Sequence, residues 1–388
     1  MIRPSPAISS GSSEQPQAAH GKALEAPRRD LLGFTADVFS RFLAGRVGHA
    51  ATQHRLLYRH LTRTGRFAPD EVPEWRMAMA ASPGLHGRLA ALAETVQVPD
   101  IGRVERIESP EHGPTRKAVI RTGDGLAVES VLIPMRAGAH HTICVSSQVG
   151  CKMGCGFCHT ATMGLIRNLE AHEIVGQVAA VAAHAGIAPR NVVFMGMGEP
   201  FDNAEAVARA VAVLRDPSGF AIAPRHITIS TVGRIDGLRR WTELGLTGIN
   251  PAISLTAADD ELRSQLMPIN RTMPLAELRT ALAGLPLPRS GRILAAVVVI
   301  PGVTDTPAAI ARLAAFASGL PLLINLIPFN PIPSRSWRAP TAAEVISMRQ
   351  ALDRAGLVVR TRTTKGEQAM AACGQLGDPA LRRRRPAV

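Results

Sequence analysis

Cys151-Lys-Met-Gly-Cys155-Gly-Phe-Cys158 is the stretch on which the reading of this chain turns. Its spacing is C-x₃-C-x₂-C. Three thiolates on one short loop do not close a tetrahedral zinc site without a fourth ligand. They can hold three irons of a [4Fe–4S] cluster and leave the fourth iron open to another ligand. Gly154 and Gly156 let the backbone wrap closely around such a cube. His159 could in principle complete a zinc set, but as the residue after Cys158 it is poorly placed for that chelate. Buried, unreactive thiols account well for isolated cysteines and badly for this triplet. Two further cysteines remain, Cys144 just upstream and Cys373 alone near the end.

Downstream of the cysteines the chain alternates between apolar runs and amphipathic stretches. Strands are expected at Val192–Met195, Ile227–Ser230, Ile249–Leu255, Ile293–Ile300, Leu322–Ile327 and Leu357–Arg360. The helix through Ile174, Val178, Val181 and Ala182 shows apolar residues at three- and four-residue intervals. Such alternation predicts α/β architecture with a parallel sheet and helical crossovers, and about six units favour a partial (β/α) barrel over a doubly wound sheet. In that architecture function sits at the carboxyl ends of the strands. Gly196-Met-Gly-Glu-Pro200, Ser230-Thr-Val-Gly233, Ser254-Leu-Thr256 and Asn330-Pro331 fall there.

The upstream part is different. From Asp30 to about Val98 the pattern is helical and basic, with Pro99 as a stop. Arg55, Arg59, Arg63 and Arg66 recur at nearly helical spacing, interleaved with Leu57, Tyr58 and Leu61. That pattern suits an RNA-contacting face, and equally a solvated face on a helical bundle. Lys117–Arg121 and Leu126–Ile133 read as a hairpin across Gly123-Asp-Gly125. The expected division is a flexible tail (1–28), a helical accessory domain (29–100), a hairpin and linker (101–136), a core barrel (137–370), and a cysteine loop with a basic tail (371–388).

Composition narrows the partners. Forty-four Lys+Arg against 31 Asp+Glu give a net charge of +13 over 388 residues, which suits a polyanion. Only Lys22, Lys117, Lys152 and Lys365 are lysines, so the charge is almost all arginine. Aromatic residues are 4%, so contacts to nucleic acid should be led by phosphates rather than stacking. No apolar run reaches the ~18–20 residues of a membrane helix, and residues 1–26 lack the order of a secretory signal. Five cysteines, an odd number, argue against a disulfide framework. A cytoplasmic protein is expected, without membrane contact.

The surrounding motifs carry a resemblance. Cys144-Val-Ser-Ser-Gln-Val-Gly-Cys151, Ile166-Arg-Asn-Leu169, Val193-Phe-Met-Gly-Met-Gly-Glu-Pro200, Met267-Pro-Ile-Asn270, Ile324-Asn-Leu-Ile-Pro-Phe-Asn-Pro331 and Ala371-Ala-Cys-Gly-Gln-Leu376 resemble the RlmN/Cfr family of radical S-adenosylmethionine (SAM) RNA adenine methyltransferases. The likeness runs from about residue 105 to residue 376 and is weaker over the helical region, where that family carries an RNA-binding accessory domain.

The resemblance implies a partial barrel of radical SAM type, a [4Fe–4S] cluster on Cys151, Cys155 and Cys158, and two SAM molecules per turnover. An aromatic adenine carbon is not nucleophilic, so direct methyl transfer does not reach it. By resemblance, Cys373 accepts a methyl group as a thiolate. The cluster then reduces a second SAM to a deoxyadenosyl radical, which takes a hydrogen from that methyl, and the carbon radical adds to the base. Cys144 matches the cysteine that resolves the protein–RNA adduct and leaves a disulfide with Cys373; both steps are thiolate chemistry. Glu129 matches the proposed proton acceptor, with Cys144 the competing base. Gly198, Glu199, Ser230, Ser254, Leu255, Thr256 and Asn330 match the SAM contacts. Ser254-Leu255-Thr256 departs from the family's usual Ser-Leu-His, replacing an imidazole by a hydroxyl.

The implied partners are RNA (23S rRNA, with tRNA as a further candidate) and an external electron donor, acting on a monomer. Two other readings stand beside this one. The same radical machinery could serve a small molecule or peptide, or the chain could be an RNA-binding protein with a structural metal loop.

Overall fold

The computed structural model describes residues 30–48, 50–95, 100–107, 115–135, 140–362 and 372–377. The expected tail over 1–28, the Pro99 stop and the basic tail beyond residue 377 lie outside the described residues. Twelve strands are present among those described: β1 (Asp100–Ile107), β2 (Thr115–Arg121), β3 (Ala127–Pro134), β4 (His141–Cys144), β5 (Gln148–Cys151), β6 (Gly164–Asn168), β7 (Asn191–Phe194), β8 (Ile227–Thr231), β9 (Asn250–Ser254), β10 (Ile293–Val299), β11 (Leu322–Pro328) and β12 (Val359–Thr361).

Ten of them form one sheet whose spatial order, β1-β2-β3-β4-β7-β8-β9-β10-β11-β12, never reverses the chain order. From β4 to β12 every pair is parallel. A doubly wound sheet would reverse direction at a switch point; this one does not, so it is an open, partial (β/α) barrel. The first three strands extend it as an antiparallel meander, β1 on β2, β2 on β3 and β3 on β4.

The expected hairpin is therefore a three-stranded unit. Its first strand was not legible because Ile101, Val104 and Ile107 recur at three-residue intervals, without the alternation of a half-buried strand. A register shift between Ile101 and Arg103 accompanies that irregular pattern. The small β5–β6 pair was also missed. It is antiparallel and carries the cysteine loop between its strands. Gly150 sits at φ +77°, where a Cβ would lie 1.9 Å from the Gly164 carbonyl oxygen, so only glycine lets the two strands approach.

Helices cover the outer face. Four precede the sheet: α1 (Ala36–Val47), α2 (Ala51–Thr64), α3 (Pro73–Ala81) and α4 (Pro83–Ala93). Proline opens both α3 and α4, where its missing N–H costs nothing. Between β6 and β7 runs α5 (Ala171–Ala185), with Ile174, Val175 and Val178 fully buried and a capping box made by Glu170 and Glu173. Tyr58 of α2 is buried and donates its hydroxyl to the Phe34 carbonyl at 2.8 Å. Leu57 and Leu61 are buried beside it, while Arg55, Arg59, Arg63 and Arg66 are all exposed. The helical unit docks on the barrel through Ala36 N–H to Asp216 Oδ2 at 2.7 Å and the His172–Asp30 pair at 3.0 Å. No helix among the described residues is long and apolar enough to cross a membrane.

Candidate active site

The parallel strands deliver their carboxyl ends to one mouth. Cys144 closes β4, and the loop after it meets the loop after β7 through reciprocal polar contacts. Ser146 Oγ donates to the Glu129 carbonyl at 2.7 Å and accepts Met197 N–H at 2.9 Å. Gln148 Oε1 accepts Glu199 N–H at 2.8 Å. Gly198 makes this approach possible, because its φ is +99° and a Cβ would lie 2.6 Å from Gln148 Cβ.

One cavity at that mouth is lined by Cys151, Cys155 and Cys158 together with Gly198, Glu199, Ser230, Ser254, Thr256, Asn330 and Cys373. Sequence positions spread over more than two hundred residues are thus brought to a single space. Leu255 is buried but does not line it; its carbonyl accepts Arg263 Nε at 3.2 Å, so it supports the strand end instead. Cys144 lies on an adjoining cavity that it shares with Cys373, Met195, Asn330 and Arg362. Glu129 lines neither. It is buried in β3, paired to Lys117 at 3.2 Å and accepting Gly377 N–H on Oε2 at 2.7 Å. All five cysteines are free thiols.

The cysteine loop rests on a small apolar cluster of its own, with Met153, Cys155, Leu266, Met267 and Phe329 packed together. Burial pushes the Cys151 thiol up to about 12 and raises Cys155 and Cys158 as well, and a nearby cysteine raises each of them further. Thiols so placed give up their protons on binding metal rather than to water. Among the described residues no three Cys, His, Asp or Glu side chains converge as a chelate for a single ion. Cluster thiolates bind separate irons, and three cysteines on one short loop match the open-iron form.

The SAM side of the cavity also fits. Thr256 adopts φ +57°, an uncommon conformation for a β-branched residue. Its Oγ1 is buried and makes no hydrogen bond among the described residues, although it belongs to the cavity lining. A buried hydroxyl left unpaired at a strained position is a place for a ligand to complete. Glu199 is buried, which lifts its carboxyl to about 7 despite hydrogen bonds from Val232 and Phe201 N–H that act the other way. A ligand ammonium would favour the ionised form.

Two features were missed by sequence reading. Arg263 is almost fully buried and binds the Leu255 and Val232 carbonyls and Asn270 Oδ1, tying together the loops after β8 and β9. Burial lowers its guanidinium to about 10, the nearby Cys155 and Asp260 opposing the shift. Its proximity to the Met267–Asn270 motif was the available signal. The second is how the segment carrying Cys373 is anchored. Its backbone is held by His159 N–H to the Gly374 carbonyl at 2.7 Å, Thr160 Oγ1 to the Leu376 carbonyl at 2.5 Å, and Asn330 Nδ2 to the Cys373 carbonyl at 3.0 Å. His159 thus serves this segment through its backbone, and its ring is not in the cavity lining.

An open (β/α) barrel with a three-cysteine loop and a set of polar residues converging at its mouth defines a radical SAM enzyme. The sequence model of the Radical SAM superfamily matches residues 145–314. Probable dual-specificity RNA methyltransferase RlmN 1 of Protochlamydia amoebophila is 36% identical over 94% of this chain and 98% of its own length. The dual-specificity RNA methyltransferase RlmN of Syntrophobacter fumaroxidans is 38% identical, covering 88% and 96%. A radical SAM methyltransferase from Sphaerobacter thermophilus superposes with a TM-score of 0.78 at 35% identity, covering 89% of this chain and 98% of that one. The chain belongs to the RlmN family of radical SAM RNA methyltransferases.

Proposed function

We propose that this enzyme methylates an adenine carbon in RNA, with C2 of an adenosine in 23S rRNA as the target and Cys373 as the methyl carrier. The observation that supports it most is the placement of Cys373. It lines the cavity of the three cluster cysteines and also the adjoining cavity of Cys144. One thiol therefore faces both the source of the methyl group and its resolving partner.

When bound, the [4Fe–4S] cluster and SAM supply methyl groups and, through one-electron reduction, the hydrogen abstraction that an unactivated aromatic carbon requires. Cys151, Cys155 and Cys158 would hold the cluster. Gly198, Glu199, Ser230, Ser254, Thr256 and Asn330 would orient SAM, Glu199 toward its ammonium. Cys373 attacks as thiolate and carries the methyl carbon to the base. Cys144 then attacks Cys373 Sγ, forming the S–S bond as the S–C bond breaks; that bond's electron pair stays with the product carbon, which takes up a proton and becomes the methyl group. Burial, reinforced by Cys373, pushes the Cys144 thiol up to about 12, while the Arg362 guanidinium acts in the opposite direction. Cys144 thus needs a base before it attacks. Glu129 is the candidate to remove the base hydrogen, with Cys144 the competing base.

The helical unit would serve as an RNA-contacting accessory domain through the exposed arginines of α2. Family membership favours RNA over a small-molecule acceptor. An external electron donor, a cytoplasmic location and a monomeric state complete the reading. The test is incubation of cluster-loaded protein with trideuteromethyl SAM, a reductant and unmodified rRNA, followed by nucleoside mass spectrometry. Carriage through Cys373 predicts methyladenosine in which one deuterium of each transferred methyl has been replaced by hydrogen. A fully deuterated methyl would contradict it.

A further inference from the structure

Glu129 has neither oxygen free. Oε1 faces Lys117 Nζ at 3.2 Å and Oε2 accepts the Gly377 N–H at 2.7 Å, in a site where both side chains are less than a tenth exposed. Lys117 lies on β2 and Glu129 on β3, so the pair is built into the antiparallel extension of the sheet. Gly377 belongs to the segment that carries Cys373, four residues upstream. In a chain that uses arginine almost everywhere, this buried cation is one of only four lysines.

We propose that Lys117 is a positioning residue for Cys373, and that the Lys117–Glu129 ion pair is a latch holding segment 372–377 across the mouth of the barrel. The inference rests on the reading of Cys373 as methyl carrier. Removing the ammonium leaves a buried carboxylate without its counter-charge, and such a group seeks water or a new partner. The carboxylate then withdraws from Gly377, and among the described residues the segment keeps its hydrogen bonds to residues 159–160 and 330–331 and the burial of Leu376. Charge-assisted hydrogen bonds from backbone N–H to carboxylate are among the stronger ones a loop makes. The latch also orders events. While Glu129 holds Gly377 it does not face the cavities, so any contact between Glu129 and a substrate base requires the segment to move first.

The experiment uses full-length, cluster-loaded protein carrying Lys117→Met or Lys117→Arg. Two quantities are read: the rate of Cys373 alkylation by iodoacetamide, on the tryptic fragment Gly366–Arg382, and hydrogen exchange across the chain. The latch predicts that Lys117→Met speeds alkylation roughly tenfold or more, the scale of one lost charged hydrogen bond, with faster exchange confined to the segment and iron content retained. Lys117→Arg should recover most of the wild-type protection. Wild-type alkylation and exchange in a cluster-loaded Lys117→Met protein would overturn the proposal. So would loosening spread evenly over β2, β3 and the segment, which is the signature of a merely structural ion pair. Should the single variant not fold, Lys117→Met/Glu129→Leu replaces the pair by apolar groups, and protection of the segment there would equally overturn it. Neither readout uses RNA or SAM, so a failure of the methyl-carrier reading registers separately.

Discussion

Thr256 and Glu199 line the cavity proposed to take SAM, each at a cost of its own. The left-handed backbone of Thr256 stores on the order of 1 kcal/mol of strain that glycine would not carry. Thr256→Gly should therefore raise the melting temperature of the ligand-free protein while weakening SAM binding several-fold, through loss of the buried hydroxyl. Calorimetry with and without SAM measures both. Glu199 gives a pH signature. Burial raises its carboxyl from 4.5 to about 7, so the folded state binds this proton more tightly than the unfolded chain. Its contribution to stability is complete below the ordinary carboxyl range and is lost as pH rises through about 7. The ammonium of SAM pairs with the ionised form, so binding should tighten as pH rises through that window and release a proton below it. Titration calorimetry in buffers of different ionisation enthalpy reads this directly, and Glu199→Gln should flatten the dependence. That the three loop cysteines and the strand-end polar residues belong to one place was legible, because unusual residue types recur at strand ends, and the structure brings them to one cavity. The environment of Glu129 was not. A glutamate on a strand reads as a solvated side chain, and only the fold reveals that Lys117 and Gly377 enclose it.

At the level of elements, the strand ends were readable from apolar runs and the loops from glycine and polar residues. What the sequence could not convey is how loops from distant elements brace one another. Ser146, Gln148 and Met197 look like motif letters, yet their side-chain and backbone bonds lock the loop after β4 to the loop after β7. Gly198 is the narrowest point of that contact. Gly198→Ala would force a Cβ against Gln148 in a backbone region that alanine avoids, and it should destabilise the protein by more than about 1 kcal/mol. Denaturant unfolding of the purified variant would show it, together with lost SAM binding. The β5–β6 pair and β1 escaped sequence reading for a common reason. Short or irregular strands lack the periodicity that marks a buried face, and their pairing is fixed by register with partners elsewhere in the chain.

Across the whole molecule, a surplus of thirteen positive charges meets a helical unit whose apolar face is spent on packing within the unit and against the barrel. Tyr58 is a core residue here, so the α2 surface offers guanidinium groups and no stacking platform. The proposed RNA-contacting role of α2 predicts a specific salt behaviour for Arg59 and Arg63. The double variant Arg59→Glu/Arg63→Glu should weaken binding to an rRNA fragment and make the slope of log affinity against log salt shallower by roughly 1–2. Its melting temperature should be unchanged, since both side chains are exposed. Unaltered binding and slope would return α2 to the role of a solvated face. The central claim, that Cys373 carries the methyl group, is reached most directly by mass spectrometry of the fragment Gly366–Arg382 after cluster-loaded protein has been incubated with SAM. One added methyl on Cys373 is the predicted result. An unmodified Cys373 in protein whose cluster is intact and still cleaves SAM would contradict it.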